Sequence, residues 1–569
     1  MRWRSIGLAG LVLALSLLVS LAGFSQCTED YCTGDWRDEG ECTDVMVGKD
    51  ASVDGSVMTS HTGCCGNSRV HYVPAQDWPE GTMAPVYWGL QNVRAGSTYE
   101  DYGDIIGYIP QVAHTNAYFH TGYPQMNEFQ LAMGETTISQ RNELRTTYGV
   151  CKQIMTIEQA QLFAHQRCRT AREAIAVITD LVETYGYLPS CCGRYDDGEA
   201  LTIADPNEAW VLEVFSIGND WDPDSGELGA VWAAQRVPDD HVKLEVNHPT
   251  IGLIDPENPD QMVSANYMDV AIEKGLYDPE SGKPFVMYEV YGPPPTEGNL
   301  IRMYLFQTIF APSAMKSRVW NPLSYYPFSL KPDKKVSVQD VIAFCRHALE
   351  GTVWDLSADL DWWVPDGSGN FVQSPLTTPL PTKEMRALLD ITWHRPVASG
   401  NYAMVAQLRS WLPDAVGGVY WFTVEQRRHS IYVPIYAGVT KINPLYNIYN
   451  KDVFQHDSVR WAIKFVDSLL YLKYQPAFET LKAVRDPLEA SFFSEQATVE
   501  PIALALYEQD PQLAQEYLTE LTWERMDTIM DTYVDLKYEL IAKYAISTGS
   551  PSATGGSYRG DDFVPAWPQ

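Results

Sequence analysis

Basic residues are scarce. Lys and Arg number 41 against 73 Asp and Glu, a formal net charge of −32. That balance argues against non-specific binding to nucleic acid or anionic lipid and suits solubility and cationic or zwitterionic partners. Ten cysteines and 11 histidines are present, yet no pair of cysteines has C-x-x-C spacing and there is no H-E-x-x-H. Neither a metal nor a cofactor is expected on that pattern. Also missing are a phosphate-binding glycine loop, an internal repeat, a heptad run, a basic-aromatic stripe and any Asn-x-Ser/Thr sequon, which removes the nucleotide-binding, solenoid, coiled-coil and nucleic-acid classes. Only one stretch is long and apolar enough to suggest a membrane, and it lies at the N-terminus.

That stretch reads as an export signal. "MRWR" is basic, the run from Ser5 to Phe24 is uncharged, and small residues follow at Ala22, Gly23 and Ser25. Cleavage is expected near residue 25, with an uncleaved anchor as the alternative. A secreted protein, extracellular or periplasmic, follows. Residues 26–41, "QCTEDYCTGDWRDEGE", are polar and acidic and read as a propeptide. An even cysteine count in an exported chain suggests disulfides. The doublets Cys64-Cys65 and Cys191-Cys192 are candidates for a bridge between loops, and Cys27 and Cys32 for one within the removed segment.

With 569 residues, 45% of them hydrophobic, the chain can bury a large core. From Cys42 the pattern is β-prone. "CTDVMVG" and "GSVMTSH" flank the turn signal Asp54-Gly55. Phe129–Thr137 is another strand, "ALTIADPNEAWVLEVF" two strands about Asp205-Pro206-Asn207, and Gly229–Val237 a third. Helices are expected after Thr156-x-x-Gln159, after Thr170-x-x-Glu173 up to Gly186, and after Ser337-x-x-Asp340 up to Gly351. A helical region follows over about 455–545, and 546–569 has the composition of a flexible tail. The pattern gives an α+β or α/β protein.

Cys42 is the residue around which a chemistry can be built. If residues 26–41 are removed, Cys42 becomes the first residue and supplies two groups. Its thiolate is a strong nucleophile, and its free α-amine, with an ordinary pKa of roughly 7.7–8.0, can carry the proton. A structural cysteine is the other reading of Cys42.

The stretch "CTDVMVGKDASVDGSVMTSH" resembles the start of the mature chain in the cysteine dipeptidase family of N-terminal-nucleophile hydrolases (dipeptidase A type, related to the secernins). Tyr123–Thr137, Trp232–Gly252, Tyr325–Phe344 and Leu408–Phe422 match in the same order. The resemblance implies a four-layer αββα sandwich, a small peptide substrate, no membrane association after signal cleavage, and self-cleavage at Glu41–Cys42. It leaves a homo-oligomer open. It implies Cys42 as nucleophile, Asn127 as oxyanion donor and Asn247 as a further catalytic residue, with turn-forming roles as the alternative for both asparagines. The wider superfamily carries Arg-Asn-x-Asp at the end of the second strand, whereas this chain has His61 at the Arg position and Cys64 at the Asp position. His61 and Arg409 are therefore read as substrate-binding candidates, with a satisfied core histidine and a surface arginine as the alternatives. An amidase acting on a non-peptide acyl amide and a non-catalytic binding protein of the same fold are the competing functions.

Overall fold

The computed structural model describes residues 42–63, 69–88, 104–189, 197–315, 326–448, 450 and 453–545. The expected signal peptide, propeptide and tail, and Cys27, Cys32, Cys64, Cys65, Cys191 and Cys192, lie outside the described residues. The fold is α+β. Its two large sheets are built from strands numbered here in chain order: β1 Asp44–Val47, β2 Val57–Gly63, β3 His71–Val73, β4 Tyr118–His120, β5 Pro124–Asn127, β6 Ala132–Ser139, β7 Asp197–Ala204, β8 Ala209–Phe215, β9 Val231–Val237, β10 Val242–Glu245, β11 Gln261–Val263, β12 Tyr402–Leu408, β13 Val419–Val424 and β14 Val433–Tyr436. One sheet has six strands in the order β10-β1-β2-β12-β13-β14, and the other has eight, β11-β9-β8-β7-β6-β5-β4-β3. Neighbouring strands are antiparallel throughout both.

The two sheets face one another where β1 and β2 meet β6, β7 and β8. The contact is close because β6 carries Gly134. A Cβ there would sit 2.5 Å from the Ser60 carbonyl oxygen and 2.6 Å from both Asp44 Oδ2 and Thr202 Oγ1. Strand β2, "VMTSHTG", is buried along its whole length although four of its residues are polar. Its hydroxyls replace main-chain partners. Thr59 Oγ1 donates to Thr202 Oγ1 across the sheets at 2.8 Å, and Ser60 Oγ accepts the Val45 N–H at 2.8 Å. Buried polar groups tolerated in this way must all find partners.

Helices contact both sheets. Ala171–Tyr185 packs on β7, β8 and β9, and Ile157–Arg167 on β5. Val338–Cys345 packs on β2 and β12, while Val459–Leu470, Tyr474–Gln509 and Pro511–Leu540 pack on β13 and β14. The capping boxes at Thr170/Glu173 and Ser337/Asp340 both form, as their spacing predicts. Thr156 precedes a helix without capping it.

Two expectations change. The helix after Ser337 ends at Cys345 rather than near Gly351. Arg346 turns inward to grip both carboxylate oxygens of Glu489, at 2.7 and 2.6 Å, and the His347 carbonyl is taken by Ala398 N–H. The strand expected from Phe129 starts at Ala132. Before it the chain turns, with Gln130 at φ +61° and Asn127 Oδ1 accepting from the N–H groups of Phe129 and Leu131. No described helix is long and apolar enough to cross a membrane.

Candidate active site

Cys42 stands two residues before β1 and is 4% exposed. Its neighbour Thr43 is tied to β2 in both directions: its N–H donates to Thr62 Oγ1 at 2.8 Å, and Thr62 Oγ1 donates to the Thr43 carbonyl at 2.8 Å. Regular backbone pairing of β1 with β2 is confined to Met46↔Thr59 and Val47↔Met58. The hydroxyls of Ser60 and Thr62 therefore carry the pairing toward Cys42 and fix the direction in which the chain enters the site.

Arg302, on the helix Glu297–Phe310, reaches Cys42 from outside the sheets. It is fully buried. Nη1 donates to the Cys42 carbonyl at 2.7 Å and to Thr43 Oγ1 at 2.8 Å. Nη2 donates to Asn247 Oδ1 at 3.1 Å and Asn299 Oδ1 at 3.0 Å, and Nε to the Gly298 carbonyl at 3.2 Å. Of the five N–H groups of a guanidinium, three thus fix the Cys42–Thr43 chain and the segment that carries Asn247, and two anchor the side chain to its own helix at Gly298 and Asn299. Asn247 completes the link by donating to the Thr137 carbonyl of β6 at 2.8 Å.

On the other side lies a buried polar chain. Asp44 and His61 are both inaccessible to solvent. His61 Nδ1 is 3.3 Å from Asp44 Oδ1 and accepts the Glu135 N–H of β6 at 3.1 Å. His61 Nε2 is 3.0 Å from the Tyr402 hydroxyl. The ring thus joins Asp44 and the Glu135 N–H on one side to Tyr402 on the other. Burial pushes the Asp44 carboxyl up, and the attraction and hydrogen bond of His61 and the Thr136 hydroxyl only partly oppose it. Thr136 Oγ1 donates to Asp44 Oδ2 at 3.1 Å. Burial likewise holds the Tyr402 phenol well above 10; a hydrogen bond with Thr121 opposes the rise and negative charge on Cys42 adds to it. Its ring packs against Gly63, where a Cβ would come within 2.3 Å of it.

Three residues named from the sequence are placed differently from the roles expected of them. Both amide N–H groups of Asn127 are committed, to the carbonyls of His165 at 3.0 Å and Cys168 at 2.9 Å. It shapes the turn before β6 and has no N–H left for an oxyanion. His61 spends both ring nitrogens inside the protein and presents none to a substrate carboxylate. Arg409 follows the far end of β12. Tyr402 pairs with Gly63 but Leu408 with Val57, so Arg409 lies roughly 23 Å along the strand from the Tyr402 end, at about 3.3 Å per residue. It donates to the Gly417 and Val416 carbonyls, both at 2.9 Å, and pairs with Glu500 at 2.8 Å. It is a buried cross-link between a loop and a long helix, not an anion holder beside Cys42.

Asp44, Arg302, Tyr402 and Asn299 were not picked out from the sequence. Two of them had a signal. Asp44 is a carboxylate opening an apolar strand, and Arg302 is the single basic residue of the largely apolar helix "EGNLIRMYLFQTIF". Lone charges in buried elements are rarely left without a partner. Among the described residues Cys151, Cys168 and Cys345 are also free of disulfides. Burial pushes the thiols of Cys168 and Cys345 up to about 12 and 11, the inert end of cysteine behaviour.

A buried cysteine held by a saturated arginine, beside an asparagine and a neutral tyrosine, is the equipment of a cysteine-type hydrolase, and comparison with known proteins specifies which. The chain belongs to peptidase family C69, whose model matches residues 41–486, and it is a cysteine-type peptidase. It is 22% identical over 526 residues to a probable dipeptidase B of Streptococcus pyogenes serotype M1, covering 90% of this chain and 94% of that protein. It is 24% identical over 434 residues to a probable dipeptidase of Latilactobacillus sakei, covering 71% and 76% of the two chains, and 24% identical over 414 residues to one of Salmonella dublin, covering 71% and 82%.

Proposed function

We propose that this peptidase is a secreted dipeptidase acting through Cys42 as an N-terminal nucleophile, exposed by self-cleavage of the Glu41–Cys42 bond. The observation that carries the proposal is the convergence of Arg302 and Thr62 on the chain at Cys42–Thr43, with Asn247 accepting from the same guanidinium. In the mature enzyme the free α-amine takes the thiol proton as the thiolate attacks the scissile carbonyl. The tetrahedral intermediate collapses to a thioester, and the amine returns the proton to the leaving amino group. Water, deprotonated by the same amine, then releases the acyl product.

Arg302 and Asn247 act as positioning residues. Arg302 fixes the Cys42 carbonyl, and Asn247 holds the guanidinium. His61, through Tyr402, fixes the far wall of the site. The two facing sheets, with helices contacting both, are read as the four-layer αββα sandwich of N-terminal-nucleophile hydrolases. Membership of the peptidase family and similarity to proteins named as probable dipeptidases support a small peptide substrate.

A panel of dipeptides, tripeptides and N-acyl amino acids tests the substrate class. Hydrolysis of dipeptides in preference to the other two is expected. Activity on acyl amides alone would leave the peptidase fold with an amidase function.

A further inference from the structure

The helices Val338–Cys345 and Tyr474–Gln509 border a groove of about 540 Å³. It lies away from the facing sheets. Thr59 and His61 of β2 reach the eight-stranded sheet, whereas Ser60 between them hydrogen-bonds the Cys345 thiol, as alternation along a strand requires. The helix Val338–Cys345 therefore covers the opposite face of β2. It buries Val341, Phe344 and Cys345 and turns Gln339, Ile342 and Ala343 to the groove. Cys42, Thr43, His61 and Arg302 line no part of it. The two helices pass in opposite directions. Arg346, just after the first, meets Glu489 of the second, and Gln339 near its start shares a smaller cavity with Gln496. Charged groups thus gather at one end, and Ile342, Ala343, Ala490 and Phe493 form an apolar stretch beyond them.

The charged end sets Arg346, Arg428 and Arg485 against Glu350, Asp486 and Glu489. Burial holds His347 below its ordinary range, so it adds no charge. Two of the ion pairs are closed. Glu489 accepts from Arg346 on both oxygens and from the Tyr432 N–H at 2.9 Å. Glu350 pairs with Arg428 and accepts the Ala348 N–H at 2.8 Å. The third pair is open. Arg485 Nε and Nη2 both approach a single oxygen of the adjacent Asp486, Oδ1, each at 2.7 Å. Asp486 Oδ2 receives no donor among the described residues, and its side chain is 52% exposed against 7% for Arg485. Burial and repulsion from Arg346 lower Arg485, and Asp486 only partly opposes them. At Arg346 burial is outweighed by Glu489, and at Arg428 by Tyr474 and Glu350. Arg485 is therefore the cation of the groove that its partners offset least. Its guanidinium is held in place from behind, by donation from Nη1 to the Arg428 carbonyl.

We infer that this groove binds a free α-amino acid with an apolar side chain, its carboxylate on Arg485, its ammonium on Asp486, and its side chain along Ile342, Ala343, Ala490 and Phe493. The exchange conserves charge. One ion pair opens, and each partner takes the opposite end of a zwitterion. The fork of Arg485 gains two carboxylate oxygens in place of one. Charges of both signs in equal number favour a ligand without net charge over an ion, and the apolar stretch favours a large side chain over none.

The purified full-length protein is titrated with L-phenylalanine, glycine and 3-phenylpropanoate, with binding followed by calorimetry. A saturable component is expected for L-phenylalanine, with glycine and 3-phenylpropanoate each at least ~10-fold weaker (about 1.4 kcal/mol). Asp486→Asn should weaken L-phenylalanine at least ~10-fold and leave 3-phenylpropanoate no weaker than in the parent. Ala490→Trp, which fills the apolar stretch, should remove the component. Both substitutions fall at exposed positions, so both proteins should fold and keep the parent's rate of hydrolysis. The readout is binding alone, so it stands whether or not Cys42 acts on dipeptides. The inference is overturned if L-phenylalanine does not bind saturably, if 3-phenylpropanoate binds as tightly, or if Asp486→Asn or Ala490→Trp leaves L-phenylalanine binding unchanged, which would place that binding elsewhere.

Discussion

Arg302 Nη1 donates to the carbonyl oxygen of Cys42 at 2.7 Å, across 260 residues of sequence. This contact ties the proposed nucleophile to a helix outside the sheets, and through Asn247 to the strand β6. Charge-assisted hydrogen bonds of this kind contribute roughly 1.5–3 kcal/mol each.

Arg302→Lys keeps the charge but cannot span the Cys42, Thr43, Asn247 and Asn299 acceptors. The expected outcome is a fall in kcat of about 100-fold with little change in KM, since misplacing a reacting group by an ångström costs on that order. Steady-state kinetics on a dipeptide check it. A rise in KM at unchanged kcat would instead make Arg302 a substrate-binding group.

Gly134→Ala tests the sheet-to-sheet contact. The added methyl would come within 2.5 Å of the Ser60 carbonyl and 2.6 Å of the Asp44 carboxyl, so the sheets must part. Overpacking of this kind costs about 1–3 kcal/mol, and denaturant unfolding should show a loss in that range.

Arg409→Met distinguishes a structural arginine from a substrate contact. It leaves Glu500 without its buried partner and frees the Val416 and Gly417 carbonyls. A loss of about 3–5 kcal/mol in stability is expected, with KM unchanged in whatever enzyme folds at low temperature. A KM raised tenfold would return Arg409 to the substrate.

Stability should also carry a specific pH signature. Burial and the neighbouring Glu245 carboxylate raise Glu213 from its ordinary 4.5 to about 8. The folded protein therefore holds a proton that the unfolded chain has lost between these values, and the contribution of this group falls as pH rises from about 4.5 to 8. Glu213→Gln should remove that part of the slope. Melting temperatures measured at pH 5, 6.5 and 8 should show the variant gaining on the parent as pH rises.

Much of this was legible in the chain. Capping boxes at Thr170 and Ser337, the turn at Asp205, and the strands on either side of it follow from local chemistry. Asp205 Oδ1 accepts from the N–H groups of Asn207 and Glu208, which is what makes Asp-Pro-Asn a turn. The site was less legible because its contacts are long-range. Nothing local to Asp44 indicates that His61 and Thr136 converge on it. Nothing local to Arg409 reveals Glu500, 91 residues on. Asn127 and His61 were named for chemistry but are consumed by hydrogen bonds that only the folded chain supplies. A departure at the end of β2, with His61 in place of the superfamily's arginine, was visible. What it meant was not, until Asp44 and Tyr402 were seen on either side of the ring.

The central claim is that Cys42 becomes the first residue of the active chain. Intact-mass and N-terminal analysis of the purified protein, alongside Cys42→Ala, tests it most directly. The account predicts a parent chain beginning at Cys42 and active on dipeptides, and a variant that retains residues preceding Cys42 and hydrolyses nothing. An active parent chain that still carries Gln26–Glu41, or a Cys42→Ala variant with undiminished hydrolysis, would contradict it.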